Sequence, residues 1–233
     1  FDYVIVGAGI AGCSLAHFLS KKSESILLID KNEDVAFGAS GAAGAFLSPL
    51  LGKPNDFKDL VTKSLIFSTN FYKNLGEELV SNCGVCRIPK NEEDRDKFES
   101  YKPYMDFKYT QMDDGYFFEI GSQVTPSLIC EKLTKDIEKK LSYNVIKLEQ
   151  NENSTWIIND EICAKNIILT TGADVKHIKE EYFDIRGVWG QKIDVSTTTE
   201  TKINYHKECS VSKASKIENT KFFKVSIGAT HHK

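Results

Sequence analysis

A chain of 233 residues, 41% of them hydrophobic, can bury a core for one large domain or two modest ones. Its net charge of −3 excludes a general pull on nucleic acid, so any polyanion would have to meet a local basic patch. No apolar run approaches the roughly 18 residues of a membrane span, and the first residues lack a signal pattern, so the expected location is the cytoplasm.

Asp2 to Val6 reads as a short buried strand. Gly7-Ala8-Gly9-Ile10-Ala11-Gly12 follows, and Leu15, Ala16, Phe18 and Leu19 then recur at helical spacing. A second apolar strand, Ser25 to Ile29, ends at Asp30, 18 residues past Gly12, which completes a βαβ unit. The stretch from Gly38 to Gly44 is too small to pack by itself and suits a backbone that a ligand approaches closely. From Asp56 to Leu79, Phe57, Leu60, Val61, Leu65, Phe67, Phe71 and Leu75 keep a helical period, which predicts one long or two short helices with these side chains in the core.

The texture changes at Cys83, where a second domain is expected to begin. Thr125-Pro126 reads as a helix start, with the helix running toward Leu141. Strands are expected at Asn144–Leu148 and Thr155–Ile158, and at Asn166–Leu169 leading into Thr170-Thr171-Gly172. A β-rich tail follows Arg186-Gly187. The nucleotide-binding texture is therefore interrupted, and two domains are interleaved.

A Gly-x-Gly-x-x-Gly string alone is weak, but here it leaves a strand, opens a helix and has an acid at the end of the next strand. In that context Gly7 makes the tight turn, Gly9 admits a pyrophosphate to the backbone N–H groups, and Gly12 lets the helix sit close to the sheet. Asp30 is placed to accept hydrogen bonds from a ribose. The turn does not choose between NAD and FAD, since both carry an ADP half. The second glycine-rich stretch, with Ala39, Ser40 and Gly41, supplies further donors that favour FAD, and Thr170-Thr171-Gly172 is a third close approach, of which Thr171 and Gly172 join the candidate set. With the turn residues Gly7, Ala8, Gly9, Ile10, Ala11 and Gly12, and with Asp30, Lys31 and Val145, these form the candidate cofactor set.

Other motifs are weaker. Cys83-x-x-Cys86 reads as a redox pair, half a zinc site or simple packing; no second Cys-x-x-Cys exists, and no metal site is assigned. The six cysteines are too sparse for a disulfide scaffold. His17, His177 and His206 lack a motif partner and read as structural or solvated. Arginine occurs only at 87, 95 and 186, so few bidentate clamps are available.

Together the strand-glycine-helix opening, Gly38-Ala39-Ser40-Gly41, Thr171-Gly172 and Arg186-Gly187 resemble the D-amino-acid-oxidase and glycine-oxidase family of flavoproteins. Within it, Pro49-Leu50-Leu51, Phe71-Tyr72, Cys83-Gly84-Val85, Gly190-Gln191 and Ile227-Gly228-Ala229-Thr230-His231 are similar to the flavin domain of bifunctional enzymes that modify the tRNA wobble uridine. Ala42-Ala43 departs from that pattern, which has Asn-Arg there.

The resemblance implies an α/β fold. It consists of a Rossmann-like FAD-binding domain (1–82 and 125–186) interleaved with a smaller α+β substrate domain (83–124 and 187–233) on a mostly antiparallel sheet. It implies FAD as cofactor and an FAD-dependent oxidoreductase acting on CH–NH. The substrate that the resemblance implies is 5-carboxymethylaminomethyl-(2-thio)uridine of tRNA, from which the carboxymethyl group would be removed. Glycine or D-amino-acid oxidation of free amino acids is the alternative, and a flavin-binding module without catalysis a third. A fused or partner methyltransferase domain is implied as well. The family's carboxylate-binding arginine and its closing helix would lie beyond Lys233, so no catalytic residue is assigned. The absence of an initial Met and the stop just past a strand-like Lys224–Gly228 suggest a piece of a longer protein.

Overall fold

The computed structural model describes residues 1–112, 114–174 and 185–229. Contacts divide the chain into two compact units, Phe1–Ala42 with Pro126–Val188, and Ala43–Thr125 with Trp189–Lys233. Residues 43–82, expected in the nucleotide-binding part, cluster with the second unit. The reason is pairing: Phe46–Leu47 and Val80–Ser81 both lie antiparallel to Ser122–Val124.

The first unit is built on a parallel sheet. Strand β1 (Tyr3–Val6) pairs with β2 (Ile26–Ile29), Tyr3 opposite Ile26 and Val6 opposite Ile29. On its other side β1 pairs with Asn166–Leu169, Val6 opposite Leu169. Helix α1 (Ile10–Leu19) makes the crossover between β1 and β2. Both strands are apolar and nearly fully buried, as a parallel sheet covered on both faces requires.

Side chains alternate across a strand. Val4, Val6, Leu27 and Ile29 therefore share one face and pack with Val145, Ile158, Ile162 and Ala164. The last three come from an antiparallel sheet of Leu148–Gln150, Trp156–Ile158 and Ile162–Ala164. Each such side chain contributes about 1.5–3 kcal/mol relative to exposure, so this cluster anchors the strand ends that carry the glycine turn.

Two sequence expectations in this unit are corrected. The helix that starts at Pro126 stops at Leu133, and Glu138–Lys140 is a fourth parallel strand beside β2. Its charged residues suit a sheet edge, where they discourage further pairing. In composition alone they look helical. The strand expected at Asn144–Leu148 begins only at Leu148. Upstream, the Asn159 side-chain oxygen accepts the N–H groups of Ile146 and Lys147, replacing a ladder with one amide side chain.

The second unit holds the larger sheet. Its strands run in the order Lys192–Thr197, Phe223–Gly228, Ser210–Val211, Asn204–His206, Val85–Arg87, Gly115–Phe118 and Thr110–Met112, with Ser215–Lys216 also on Phe223–Gly228. All pairings are antiparallel except Asn204–His206 with Val85–Arg87.

A single helical turn, α2 (Ala39–Ala42), belongs to the first unit. The second unit carries α3 (Asp56–Leu75) and α4 (Glu92–Tyr101). Phe98 of α4 packs on Val85, Tyr116 and Phe118 of the sheet. Asn55 caps α3, its side chain accepting the Lys58 N–H at 2.9 Å. The expected core face of α3 is corrected: Leu65 is buried, whereas Phe57, Leu60 and Phe67 are more than half exposed. Helical spacing places residues on one face but does not say what covers that face.

Candidate cofactor site

The site grows from the end of β1. Gly7 has φ +112°, and a Cβ there would lie 2.4 Å from the Thr170 carbonyl oxygen, so the turn needs glycine for conformation and for space. At Gly12 a Cβ would lie 1.9 Å from the Gly7 carbonyl oxygen. At Gly9 it would reach the Ser40 oxygen at 3.1 Å. The three glycines thus let β1, α1 and α2 close on one another.

Within this turn the polar groups are committed in a consistent sense. The Gly7 N–H donates to the Ile29 carbonyl at 2.8 Å. The Ala8 N–H donates to Asp30 Oδ2 at 2.6 Å, and the Ala8 carbonyl accepts the Ala36 N–H at 2.8 Å. The Ile10 N–H donates to Ser40 Oγ at 3.0 Å. Carbonyls of the turn face protein, while α1 presents its first-turn N–H groups, including those of Ala11 and Gly12, which no helical carbonyl can satisfy. That end carries the positive pole of the helix dipole, and the first turn holds no acidic residue.

The structure brings most of the predicted set to this end of the sheet. Asp30 ends β2, and its Oδ1 also accepts the Asn32 N–H at 2.8 Å and the Asn32 side-chain amide. Lys31 forms a 2.8 Å ion pair with Asp174, and that hydrogen bond and charge hold the ammonium above its usual pKa. Ala39, Ser40 and Gly41 lie in α2, with Gly41 tight against the Ala36 carbonyl. Thr171 and Gly172 follow the strand Asn166–Leu169, and Gly172 has φ +64°. The Tyr143 N–H donates to the Asp30 carbonyl at 2.9 Å, which carries the chain toward Val145 beside β2. The Val145 side chain itself is in the core.

Thr170 belongs to the Thr170-Thr171-Gly172 close approach but stands outside the candidate cofactor set, and its side chain meets the turn directly. Thr170 Oγ1 donates to the carbonyls of Gly7 at 2.8 Å and Val6 at 3.1 Å. The available signal was register: with Leu169 opposite Val6, the next residue must stand beside Gly7.

Motifs elsewhere carry less. Cys83 and Cys86 form no disulfide, and among the described residues no group of three or more His, Cys, Asp or Glu could hold a metal ion. His206 is half-buried with Nδ1 2.8 Å from Ser210 Oγ, and burial together with Arg87 and Lys90 lowers its pKa to about 4. His177, Thr230 and His231 lie outside the described residues. No described helix is long and apolar enough to cross a membrane.

A strand, a glycine turn, a helix N-terminus and a carboxylate at the next strand end define a dinucleotide-binding βαβ protein. A cradle with inward carbonyls, a hydroxyl and outward N–H groups fits a pyrophosphate and the ribose beside it. The family model DAO, FAD dependent oxidoreductase, matches residues 2–215, and the chain belongs to that family.

The chain is 25% identical over 225 residues to the tRNA 5-methylaminomethyl-2-thiouridine biosynthesis bifunctional protein MnmC of Legionella pneumophila (strain Lens), covering 85% of this chain and 33% of the relative. It is 26% identical over 163 residues to the protein of that name from Campylobacter hominis, covering 68% of the chain and 24% of the relative. The chain thus spans about a third or less of the length of these curated relatives. Among solved structures, glycine oxidase from Bacillus cereus superposes with a TM-score of 0.80 at 17% identity, over 99% of this chain and 73% of that one. Iminodiacetate oxidase from Chelativorans superposes with a TM-score of 0.69 at 18% identity, over 98% and 71%.

Proposed function

We propose that this chain is the cofactor-binding and central part of an FAD-dependent amine oxidoreductase that removes the carboxymethyl group from 5-carboxymethylaminomethyl-(2-thio)uridine at the tRNA wobble position. The observation that carries this reading is the similarity along 85% of the chain to a protein named for tRNA 5-methylaminomethyl-2-thiouridine biosynthesis. Solved structures of the same fold support the chemistry. Glycine and iminodiacetate, the substrates in their titles, both carry an amine on a carboxymethyl carbon, as the modified uridine does.

In this reading Gly7, Ala8, Gly9, Ile10, Ala11 and Gly12 wrap the pyrophosphate of FAD, and the Ser40 hydroxyl donates its own proton to a phosphate oxygen while accepting the Ile10 N–H. Asp30 uses its remaining lone pairs on the adenosine ribose, with Lys31 and the backbone near Val145 beside it. Ala39 and Gly41 give the phosphates room, and Thr171 with Gly172 closes the strand end against the cofactor.

A bound flavin would supply the hydride acceptor for oxidation of the carbon between amine and carboxylate. The amine proton leaves with that oxidation, and water adds across the resulting carbon–nitrogen double bond, giving glyoxylate and the aminomethyl uridine. The protein orients the substrate and keeps water from the reacting carbon until then. A methyltransferase domain, fused or separate, then acts on the product, and a cytoplasmic location follows from a tRNA substrate.

The test is mass spectrometry of tRNA wobble uridines with and without the gene. Accumulation of the carboxymethylaminomethyl form in its absence supports the reading, and an unchanged nucleoside profile overturns it. Likeness to glycine oxidase favours one second reading, oxidation of free amino acids. Bleaching of the flavin by glycine or D-alanine without oxygen would select it.

A further inference from the structure

We infer that Thr170 is a positioning residue for the FAD pyrophosphate, acting through the peptide group between Gly7 and Ala8. This rests on the reading above that the glycine turn holds that pyrophosphate.

One trans peptide group carries its C=O and N–H on opposite edges. Here the Gly7 carbonyl accepts the Thr170 hydroxyl at 2.8 Å, and the Ala8 N–H donates to Asp30 Oδ2 at 2.6 Å. The two side chains stand at the ends of the strands that flank β1, Asn166–Leu169 on one side and β2 on the other. The sheet order therefore puts a donor and an acceptor on the two edges of the same peptide plane. A residue at Gly7, with φ +112°, turns this plane out of the strand ladder, so ordinary strand pairing does not set its orientation.

The orientation has an electrostatic consequence. A carbonyl rotated toward the ligand would place negative charge against the pyrophosphate, whereas a carbonyl held by Thr170 keeps that dipole turned away. Thr170 does this with a hydroxyl that also touches the Val6 carbonyl at 3.1 Å and would lie 2.7 Å from a Cβ at Gly12, so it is wedged between β1 and α1 and is not free to swing. Asp30 cannot substitute for it, because a carboxylate accepts and does not donate.

The test is titration of FAD and of ADP into the full chain by fluorescence and calorimetry, for wild type, Thr170→Val, Thr170→Ser, Asp30→Asn and the double variant Thr170→Val with Asp30→Asn, each with its cofactor-free melting temperature. Thr170→Val is expected to weaken both ligands about five- to tenfold, Thr170→Ser to bind like wild type, and the double variant to lose less than the product of the single losses, since both act on one peptide. Thr170→Ser covers the case in which the valine variant does not fold, since a serine that binds tenfold more weakly than wild type would overturn the role of the hydroxyl. Wild-type affinity in Thr170→Val overturns the inference and leaves the cofactor reading intact. Equal weakening in the serine and valine variants, with matching losses of melting temperature, overturns it in favour of simple packing. Absence of FAD and ADP binding by wild type overturns both.

Discussion

Ser40 Oγ accepts the Ile10 N–H at 3.0 Å, which ties the second glycine-rich segment to the first turn of α1. The hydroxyl thereby stands at the positive end of the helix, with its own proton available to a phosphate. Ser40→Ala is expected to weaken FAD binding about fivefold, in keeping with about 1 kcal/mol for one such hydrogen bond. Quenching of flavin fluorescence on titration measures it, and unchanged affinity would remove Ser40 from the phosphate site.

Gly12 and Gly38 give opposite expectations for the same substitution. A Cβ at Gly12 meets the Gly7 carbonyl oxygen at 1.9 Å and Thr170 Oγ1 at 2.7 Å, while at Gly38 nothing lies within 4 Å. Gly12→Ala should cost about 1–3 kcal/mol or more and expel the cofactor. Gly38→Ala should be neutral or stabilising by up to about 1 kcal/mol through the unfolded chain. Urea denaturation of the two variants separates close packing from a general glycine effect.

Lys58 is 3% exposed, with Nζ 2.8 Å from Asp106 Oδ2 and also donating to the Tyr104 carbonyl. Asp106→Asn leaves a buried ammonium without its counter-charge and is expected to cost about 3 kcal/mol, the lower end for a buried pair, because Asp106 keeps some solvent. Lys58→Met, which removes the charge and keeps the stem, should cost less. Equal losses in denaturant melts would show that packing outweighs the charge.

His206 titrates in the folded chain at about 4, against about 6.5 in the unfolded one. Between those values the unfolded chain binds a proton that the folded chain refuses, so stability falls as pH drops from 6.5 toward 4 and is complete above 6.5. His206→Asn offers Ser210 a similar acceptor and removes this titration. Its stability should depend less on pH across that window than wild type, as followed by denaturant midpoints at several pH values. Parallel curves would assign the acid sensitivity to other groups.

Legibility in the sequence followed the range of the interactions. β1, the glycine turn, α1 and β2 could be read because period, glycine spacing and the acid at Asp30 are all local. Glu138–Lys140 could not, because a charged edge strand is defined by the neighbour it pairs with, and Glu-Lys-Lys carries no strand pattern. The exposure of Phe57 and Phe67 on α3 is not legible in the sequence for a related reason: a helical period names a face and leaves its covering unspecified.

The cofactor site divides along the same line. Residue order alone is enough for a turn at Gly7, Gly9 and Gly12 and for an acid at Asp30, since backbone sterics and a short βαβ crossover require them wherever the unit occurs. That Thr170, 163 residues from Gly7 in sequence, supplies the hydroxyl that holds the Gly7 carbonyl was decided only when a parallel sheet set Leu169 opposite Val6. Hydrogen bonds reach about 3 Å, and only the folded sheet brings residues so far apart in sequence within that distance.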